Sequence, residues 1–332
     1  MMKQQLLDGF GRIHTNLRIS VTDVCNFRCI YCMPEDMVFM PDAALMTYSE
    51  ILHFTRIFVR LGVNKLRITG GEPLVRPGVP QLIAQLGQID ALKDISLTTN
   101  GIGLITQAKP LYDAGLRRIN VSLDTLNEEK FEQMTRRKVL SRVIEGLKAA
   151  HDCGFNPIKV NAVAMRGFTD DEIVDLATFA RENNYHMRFI EFMPLDADDI
   201  WGRNMFIPSK EIIDKIKNVY PLERMSLNGD SKNDTAQRFR FADNGAEVGV
   251  IPSVSEPFCE NCNRIRLTAD GKFRTCLFSL TETDLLTPLR DGADDKTIEE
   301  LIIDAVAQKE AGHKINAADF IKPERNMSRI GG

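Results

Sequence analysis

The feature that most constrains the fold is a repeat of a short apolar segment followed by an amphipathic one, from residue 17 to residue 194. Apolar residues at helical spacing predict helices at 49–61, 81–89, 142–153 and 171–182, with Ser49 and Asp170 as candidate N-caps. The six predicted strands are 17–21, 66–69, 95–98, 118–123, 158–163 and 187–192. Strands that alternate with helices pair in parallel through right-handed crossovers.

Six strand–helix units leave two architectures open. Six units are too few to close an eight-unit barrel. We therefore predict an α/β fold with a partial (β/α)6 TIM-like barrel at residues 17–220, after an N-terminal segment at 1–16. A doubly wound parallel sheet is the alternative.

The pattern changes after residue 193. One more helix is predicted at 209–219, and 222–234 is polar and loop-like. The short strands predicted beyond it are 236–241, 247–251, 265–268 and 272–274, and the helices are 284–290 and 297–308. These elements predict a C-terminal α+β module at 221–321, followed by a tail at 322–332 without periodicity.

Charge and hydropathy exclude several classes of partner. Lys and Arg number 42 against 46 Asp and Glu, so the net charge of −4 gives no attraction to nucleic acid or to an anionic membrane. No apolar run approaches the roughly 20 residues of a membrane span, and the N-terminus lacks the apolar segment of a signal peptide. We therefore expect a cytoplasmic protein, in which clustered cysteines indicate metal binding or catalysis rather than disulfides.

The first cysteine group is a C-x3-C-x2-C motif made by Cys25, Cys29 and Cys32, directly after the first predicted strand. A structural zinc site takes four ligands, and the nearby His14 precedes the strand. An iron–sulfur cubane on three cysteines would leave one iron open, at the strand end where barrels place their active sites. Zinc remains the alternative.

The second cysteine group, Cys259, Cys262 and Cys276, has C-x2-C-x13-C spacing in the predicted module. A zinc ribbon would need a fourth ligand, and His313 has no ligand spacing relative to these cysteines. A second cluster with an open iron fits this spacing better. The seventh cysteine, Cys153, ends a predicted helix and is predicted to be a packed thiol.

Cations alternate with apolar residues along the predicted strands. Because strand side chains alternate between faces and the helices cover the apolar face, these cations are predicted to face the barrel lumen. They are Arg18, Lys65, Arg67, Lys159 and Arg188. An unpaired buried charge is costly. Either lumen carboxylates such as Asp124 and Glu191 pair with the cations, or an anion such as a triphosphate binds there.

Several motifs together resemble one known family. The first cysteine motif, with Tyr31 before its last cysteine, is similar to the radical SAM signature, and Gly70-Gly71-Glu72-Pro73 resembles the GGE segment of that superfamily. The C-x2-C-N-R-I-R-L segment that begins at Cys259, with its third cysteine at 276, and the terminal Gly-Gly resemble the GTP 3′,8-cyclases of molybdenum cofactor biosynthesis. This resemblance extends from about residue 17 to the end of the chain.

The resemblance implies S-adenosylmethionine and two [4Fe–4S] clusters as cofactors. It assigns the first, S-adenosylmethionine-binding cluster to Cys25, Cys29 and Cys32, and the second, substrate-binding cluster to Cys259, Cys262 and Cys276. The implied contacts of S-adenosylmethionine are Tyr31, Gly71, Ser122 and Met193. The implied contacts of GTP are Arg18, Lys65, Arg67, Thr98, Lys159, Arg188, Arg264, Ile265 and Arg266. Catalytic roles are implied for Arg264, Arg266, Gly331 and Gly332.

The resemblance also implies a lyase reaction. A 5′-deoxyadenosyl radical would remove hydrogen from C3′ of the GTP ribose, and the carbon radical would attack guanine C8. The product would be (8S)-3′,8-cyclo-7,8-dihydroguanosine 5′-triphosphate, made in the first step of molybdenum cofactor biosynthesis. The Gly-Gly tail would reach into the active site, although chain ends are commonly disordered.

Partners follow from the same resemblance. A flavodoxin- or ferredoxin-like protein would reduce the first cluster, and a cyclic pyranopterin monophosphate synthase (MoaC-type) would receive the product. The oligomeric state stays open, a homodimer included. Two rival interpretations are another radical SAM enzyme with an auxiliary cluster, acting on a peptide or RNA, and a non-catalytic zinc-binding scaffold.

Overall fold

The structure is a computed structural model, and it describes residues 5–196, 198–226 and 233–331. Within these residues one mixed sheet of 12 strands forms the centre of the molecule. The strands are β1 (Asn16–Ser20), β2 (Lys65–Thr69), β3 (Asp94–Thr99), β4 (Arg118–Ser122), β5 (Ile158–Ala164), β6 (His186–Glu191), β7 (Leu222–Arg224), β8 (Gln237–Phe241), β9 (Glu247–Ile251), β10 (Arg264–Leu267), β11 (Lys272–Arg274) and β12 (Thr283–Asp284).

Strands β1 to β6 are parallel and neighbour one another in chain order, β1-β2-β3-β4-β5-β6. This order confirms the predicted partial barrel, because a doubly wound sheet reverses its strand order at a switch point. The later strands do not form a sheet of their own. Strand β10 pairs in parallel with β1, and β9 pairs in parallel with β6, so the C-terminal strands extend both edges of the barrel sheet.

Most helices cover the outer, apolar face of this sheet, whereas the last one contributes Met327 to the lining of the barrel interior. The helices are α1 (Tyr48–Arg60), α2 (Val79–Leu86), α3 (Leu104–Asp113), α4 (Glu128–Thr135), α5 (Leu140–Asp152), α6 (Ile173–Glu182), α7 (Ser209–Lys217), α8 (Leu286–Arg290), α9 (Asp295–Ala307) and α10 (Met327–Ile330). On the strands beneath them, Leu17, Ile19, Leu66 and Ile68 are at most 1% exposed. None of the described helices has the length and apolar character needed to cross a membrane.

Both predicted N-caps are wrong. Helix α1 is capped by Thr47, whose side chain accepts from the backbone of Glu50 while the Glu50 carboxylate accepts from the backbone of Thr47. This reciprocal arrangement is a capping box, which Ser49, already inside the helix, cannot make. Asp170 lies before α6, and its carboxylate accepts from the backbone of Gly167 at 2.7 Å, so it closes a turn instead.

The predicted boundaries missed the shortest elements. Strand β7 lies in the stretch 222–234 that was expected to be a loop, and residues 227–232 of that stretch lie outside the described residues. Helix α10 lies in the tail that shows no periodicity, where Asn326 caps it by accepting from the backbone of Arg329 at 3.2 Å. Elements as short as β7 and α10 contain too few residues to show apolar periodicity, and they are defined by their strand partners and caps instead.

One close contact between α5 and the turn after β3 provides a test of this packing. A Cβ added to Gly146 would lie 2.1 Å from the carbonyl oxygen of Gly101, a backbone atom that cannot move aside as a flexible side chain would. We predict that Gly146→Ala lowers the free energy of unfolding by about 2–3 kcal/mol, measured by urea denaturation. The control Ser141→Ala, at an exposed position of α5, should change it by less than about 0.5 kcal/mol. Equal unfolding midpoints for Gly146→Ala and the unsubstituted protein would contradict this packing.

A candidate active site in the barrel lumen

The lumen enclosed by the barrel strands is a cavity of about 620 Å³. This volume suits a small-molecule ligand. Most of the residues that the sequence assigned to a site line it. They are Arg18, Cys25, Cys29, Tyr31, Cys32, Lys65, Arg67, Gly71, Thr98, Ser122, Lys159, Arg188, Met193 and Arg264.

Strand register aligns three arginines across the lumen wall. Arg266 of β10 pairs with Arg18 of β1, and Arg18 pairs with Arg67 of β2. Adjacent strands are about 4.8 Å apart, so like charges in register destabilise the sheet unless an anion joins them. Burial and this mutual repulsion hold the pKa of Arg18 well below its ordinary value. Burial is also the main reason why the pKa of Arg67 falls to about 10 and that of Arg266 to about 9.

Lys159 of β5 adds a fourth cation to the lumen. It pairs in register with Asn120 and His186 on the neighbouring strands. Burial, followed by repulsion from Arg188 and Arg118, lowers the pKa of Lys159 to about 7. Binding of an anion in the lumen would therefore favour the protonated, positively charged form of Lys159.

Of the two alternatives for these cations, pairing with Asp124 and Glu191 is not found among the described residues. The Asp124 carboxylate accepts from the Tyr31 hydroxyl at 2.6 Å and from the backbone of Val163 at 2.8 Å. Glu191 accepts from the backbone of Ser209 at 2.7 Å and from two further backbone N–H groups at 2.8 Å. Both carboxylates thus fix the loops at the ends of the barrel strands, and neither of them forms an ion pair with a lumen cation.

Three lumen cations have other carboxylate neighbours. Arg118 forms an ion pair with Asp94, Arg188 Nη2 lies 3.6 Å from Asp234 Oδ2, and Arg238 forms an ion pair with Glu247. Across the described residues, five more cations of the lumen form no ion pair with a carboxylate. They are Arg18, Lys65, Arg67, Lys159 and Arg264.

Unpartnered polar atoms point to the same kind of ligand. Arg18 Nε, Thr98 Oγ1 and Asn161 Oδ1 are buried and find no hydrogen-bond partner among the described residues. Buried polar atoms are almost always satisfied in proteins, so such a set in one cavity indicates a polar ligand. Together with the surplus of cations, these atoms fit an anionic ligand with several oxygen atoms.

The glycine turn after β2 supports the loop that carries the first cysteine group. Gly71 donates its backbone N–H to the carbonyl of Thr22 at 2.7 Å. A Cβ at this position would lie 2.5 Å from the carbonyl oxygens of Asp23 and Val24, so only glycine fits. Glu72, the next residue of the turn, accepts from Thr99 Oγ1 at 2.7 Å and so ties the turn to the end of β3.

The first cysteine group lines the cavity on this loop. Burial raises the pKa of Cys25 to about 11. Burial also raises the pKa of Cys29 and Cys32, and repulsion from the other cysteines of the group adds to both shifts. Three converging thiols that cannot ionise together suit an iron–sulfur core, whose positive charge would stabilise the thiolates. Within residues 5–196, 198–226 and 233–331, no three Cys, His, Asp or Glu side chains are spaced for one metal ion.

The second cysteine group does not line the cavity itself. Cys259 and Cys262 form the turn before β10, and Arg264, which lines the cavity, has Nη2 at 3.5 Å from Cys262 Sγ. Burial alone would raise the pKa of Cys262, but Arg264 and Lys309 outweigh it and lower the value to about 6. A preformed thiolate is the ionisation state that a metal ligand requires.

A glycine packs closely against this second group. A Cβ on Gly312 would lie 2.9 Å from Cys259 Cβ and 3.1 Å from its sulfur atom. The segment around Gly312 therefore lies against the cysteine turn at a distance that glycine allows and a larger residue would not.

Three predicted site residues need separate comment. The side chain of Ile265 points away from the lumen into the main apolar core with 0% exposure, so the predicted contact of this residue with GTP would be made by its backbone. Gly331 is buried, and its carbonyl accepts from Arg266 Nη1 at 2.6 Å. The described tail therefore reaches the arginine row of the lumen, and Gly332 lies outside the described residues.

Several polar residues of the lumen were not predicted from the sequence, among them Arg118 and Asn16. Strand parity contained the signal for Arg118, because it shares a strand face with the predicted site residue Ser122. For Asn16 the predicted first strand began one residue too late.

Two family profiles match this chain and divide it between them. Residues 19–180 match the Radical SAM superfamily, and residues 185–315 match Molybdenum Cofactor Synthesis C. The first profile runs from the end of β1 into α6, and the second runs from just before β6 to beyond α9.

Curated relatives match over nearly the whole chain. A GTP 3′,8-cyclase of Rhodopirellula baltica is 46% identical, over 98% of this chain and 92% of the relative. A mitochondrial GTP 3′,8-cyclase of Arabidopsis thaliana is 44% identical, over 100% of this chain and 84% of the relative. Molybdenum cofactor biosynthesis protein 1 of Homo sapiens is 43% identical, over 93% of this chain and 48% of that longer protein.

Solved structures share the fold at low identity. SuiB of Streptococcus suis superimposes with a TM-score of 0.61 at 13% identity, over 92% of this chain and 69% of SuiB. A structure of anSMEcpe with bound AdoMet superimposes with a TM-score of 0.60 at 14% identity, over 90% and 82%. The fold and the full-length relatives lead to one conclusion: this chain belongs to the GTP 3′,8-cyclase family of radical SAM enzymes.

Proposed function

We propose that this chain converts GTP to (8S)-3′,8-cyclo-7,8-dihydroguanosine 5′-triphosphate, the first step of molybdenum cofactor biosynthesis. The names of the full-length relatives support this activity. The observation that carries it is the lumen itself, where Arg18, Lys65, Arg67 and Lys159 lack carboxylate partners among the described residues. A triphosphate supplies the negative charge that this wall needs.

Membership in the radical SAM superfamily implies S-adenosylmethionine and one [4Fe–4S] cluster. Cys25, Cys29 and Cys32 would hold the cluster, on the loop that faces the cavity. When bound, this pair supplies a 5′-deoxyadenosyl radical after one-electron reduction. Tyr31 is well placed to hold the loop in position, because its hydroxyl donates to Asp124 at the end of β4.

Three further residues would complete the S-adenosylmethionine contacts. Gly71, Ser122 and Met193 line the same part of the cavity as Tyr31. Gly71 leaves its backbone close to the cysteine loop, and Ser122 ends β4 beside Asp124. Their position at the ends of barrel strands is where this type of fold binds its cofactors.

We place a second [4Fe–4S] cluster on Cys259, Cys262 and Cys276. The support is the donor set: burial and repulsion from Cys276 and Cys262 raise the pKa of Cys259, so the three thiols lie in one region, and Cys262 has a pKa of about 6. Arg264 lies between this group and the lumen, so it can contact both the cluster and a nucleotide.

The cations would bind the nucleotide and orient it. The arginine row on β10, β1 and β2 and Lys159 and Arg188 opposite it would take up the triphosphate, with Thr98 as an uncharged donor. Holding the triphosphate fixes ribose C3′ and guanine C8 with respect to each other. The buried tail at Gly331 would close the lumen and exclude water from the radical chemistry, with Gly332 beyond it.

On the nucleotide, the reaction removes a hydrogen atom from C3′ and forms the bond from C3′ to C8. Addition of one electron and one proton then gives a product that is an isomer of GTP. We assign the reduction to a flavodoxin- or ferredoxin-like protein and the use of the product to a cyclic pyranopterin monophosphate synthase (MoaC-type). The division into residues 1–16, 17–220, 221–321 and 322–332, and the possible homodimer, stay predictions.

The product decides whether this function is right. Anaerobic incubation of the reduced protein with GTP and S-adenosylmethionine should give 5′-deoxyadenosine and a new nucleotide. Because the nucleotide has the mass of GTP, it must be separated by chromatography before mass spectrometry. Formation of 5′-deoxyadenosine without loss of GTP would direct the search to a peptide or RNA substrate instead.

The two clusters predict the iron content of a cysteine variant. The unsubstituted protein should contain about eight iron and eight sulfide per chain. Cys25→Ala should lower the iron to about four and abolish cleavage of S-adenosylmethionine, because it removes a ligand of the first cluster. Iron and sulfide analysis and an assay for 5′-deoxyadenosine measure the two effects.

A matched control is Cys153→Ala. Cys153 caps the end of α5 on the helical layer and does not line the lumen, so this variant should keep full iron content and activity. Retained cleavage of S-adenosylmethionine in Cys25→Ala would rule out the assigned ligand set. Zinc in place of iron in the unsubstituted protein would favour the scaffold interpretation.

The low pKa of Lys159 predicts a pH dependence of GTP binding. With a pKa of about 7 in the free lumen, Lys159 is mostly neutral at pH 8, and a bound triphosphate restores its charge. Binding at pH 8 should therefore take up about one proton, and affinity should fall as pH rises from 7 to 9. Calorimetry in two buffers of different ionisation enthalpy measures this uptake.

The other charged groups around Lys159 help to interpret that experiment. Arg188, Arg118 and Arg67 repel its ammonium group, and Asp234 attracts it. Lys159→Met should bind GTP more weakly and lose the proton uptake, since the arginines stay charged at pH 8. Equal uptake by the variant and the unsubstituted protein would assign the proton to another group.

A further inference from the structure

A buried lysine lies beside the second cysteine group, away from the lumen. Lys309 is 5% exposed and follows directly after the end of α9. Its Nζ donates to the carbonyl of Arg264 at 2.9 Å and lies 3.7 Å from Cys262 Sγ. The ammonium group therefore contacts both a proposed cluster ligand and the backbone of the residue that links the cluster to the lumen.

The N-terminal segment holds this lysine in place. Arg12 donates to the carbonyls of Cys259 at 2.8 Å, Glu310 at 2.6 Å and Ala311 at 2.5 Å. It thereby ties the cysteine turn to the segment that contains Lys309. Asp8 fixes the guanidinium group in turn by accepting from Arg12 Nε at 2.6 Å. A clamp of buried charged groups with this many direct contacts leaves Lys309 little freedom to move.

The burial of the Lys309 ammonium group costs free energy unless the group has an anionic partner. Among the residues that the structure describes, Lys309 has no carboxylate partner within ion-pair distance, and its polar neighbours are the Arg264 carbonyl and the Cys262 sulfur. The C-terminal end of α9 adds a favourable but small interaction with the helix dipole. The main counter-charge must therefore come from the sulfur side.

Arg264 does not provide the same fixed positive charge at Cys262 as Lys309 does. Its guanidinium group also lies close to Cys262 Sγ, but it lines the lumen, stacks on the Phe258 ring at 4.7 Å and is assigned to the nucleotide. Lys309 does not line the lumen. Its charge stays with the sulfur atom whether or not a nucleotide is bound.

We propose that Lys309 is a positioning residue that raises the reduction potential of the second cluster through Cys262. The proposal rests on the proposed second cluster. A fixed positive charge and an N–H group directed at a ligand sulfur stabilise the reduced cluster more than the oxidised one, because the reduced cluster carries one more negative charge. Lys309 also has a structural effect, because its hydrogen bond to the Arg264 carbonyl fixes the position of the start of β10.

The test isolates the second cluster. A chain with Cys25→Ala, Cys29→Ala and Cys32→Ala should keep about four iron atoms, all in the second cluster. Its midpoint potential is measured by an electrochemical titration followed by electron paramagnetic resonance, without GTP. In this background Lys309→Met should shift the ratio of reduced to oxidised cluster about tenfold toward the oxidised form, or about 59 mV for a one-electron couple.

Two matched substitutions separate the charge from the loss of a side chain. Lys309→Arg keeps the charge and should restore most of the potential. Lys296→Met makes the same change at a lysine of α9 whose side chain is 81% exposed, and it should leave the potential unchanged. Where Lys309→Met binds less iron, Lys309→Gln replaces it, because glutamine keeps a donor for the Arg264 carbonyl without the charge.

The outcomes distinguish this proposal from the proposed function. If the triple cysteine variant binds no iron, the second cluster is absent and both proposals are overturned. If that variant holds a cluster whose potential is the same with lysine, methionine or glutamine at position 309, only the role of Lys309 is overturned. A shift in the Met or Gln variant that Lys309→Arg reverses supports the proposal.

Discussion

The placement of several cations inside one lumen is the constraint on which the rest of the structure depends. Parallel pairing sets Arg266, Arg18 and Arg67 side by side at one level of the sheet, and the apolar faces of the same strands are fixed by the helices. The side chains therefore cannot turn away without moving a whole strand into the wrong register. The repulsion between them is retained in the folded protein. The triphosphate that we propose as the ligand would relieve this repulsion, so the fold would supply part of the free energy of nucleotide binding.

The two cysteine groups lie in electrostatic surroundings of opposite sign. Near the first group, Glu72 and Asp124 are buried, and they add to the burial that raises the pKa of its thiols. Near the second group, Arg264 and Lys309 reverse the effect of burial at Cys262. Negative surroundings favour the oxidised form of a cluster and positive surroundings favour the reduced form. This difference is consistent with a strongly reducing first cluster that generates a radical and a second cluster that serves to bind.

Local patterns in the sequence predicted the barrel and most of the lumen, because both depend on the alternation of side chains within a strand. Arg18, Lys65, Arg67, Lys159 and Arg188 line the cavity as parity predicts. The same patterns could not show that β10 pairs with β1, since that contact joins segments about 250 residues apart and leaves no local periodicity. Nor could they show that Asp124 and Glu191 are used by loop N–H groups, or that Lys309 is buried, because each depends on which loop packs against the residue.

The pairing of β10 with β1 also sets the positions of the two cysteine groups, to which we assign the two proposed clusters, around one lumen. Cys25 follows the C-terminal end of β1, whereas Cys262 precedes the N-terminal end of β10. Because the strands are parallel, the two cysteine groups lie toward opposite ends of the barrel, and the four residues of β10 extend about 13 Å between them. The arginine row crosses the lumen wall at one level within this interval. The tail passes the first group, where the backbone of Ser328 forms a hydrogen bond with Cys32, and reaches Arg266 through Gly331. A nucleotide that lies along the interval can present different groups to the two ends, which a site built on a single loop could not achieve.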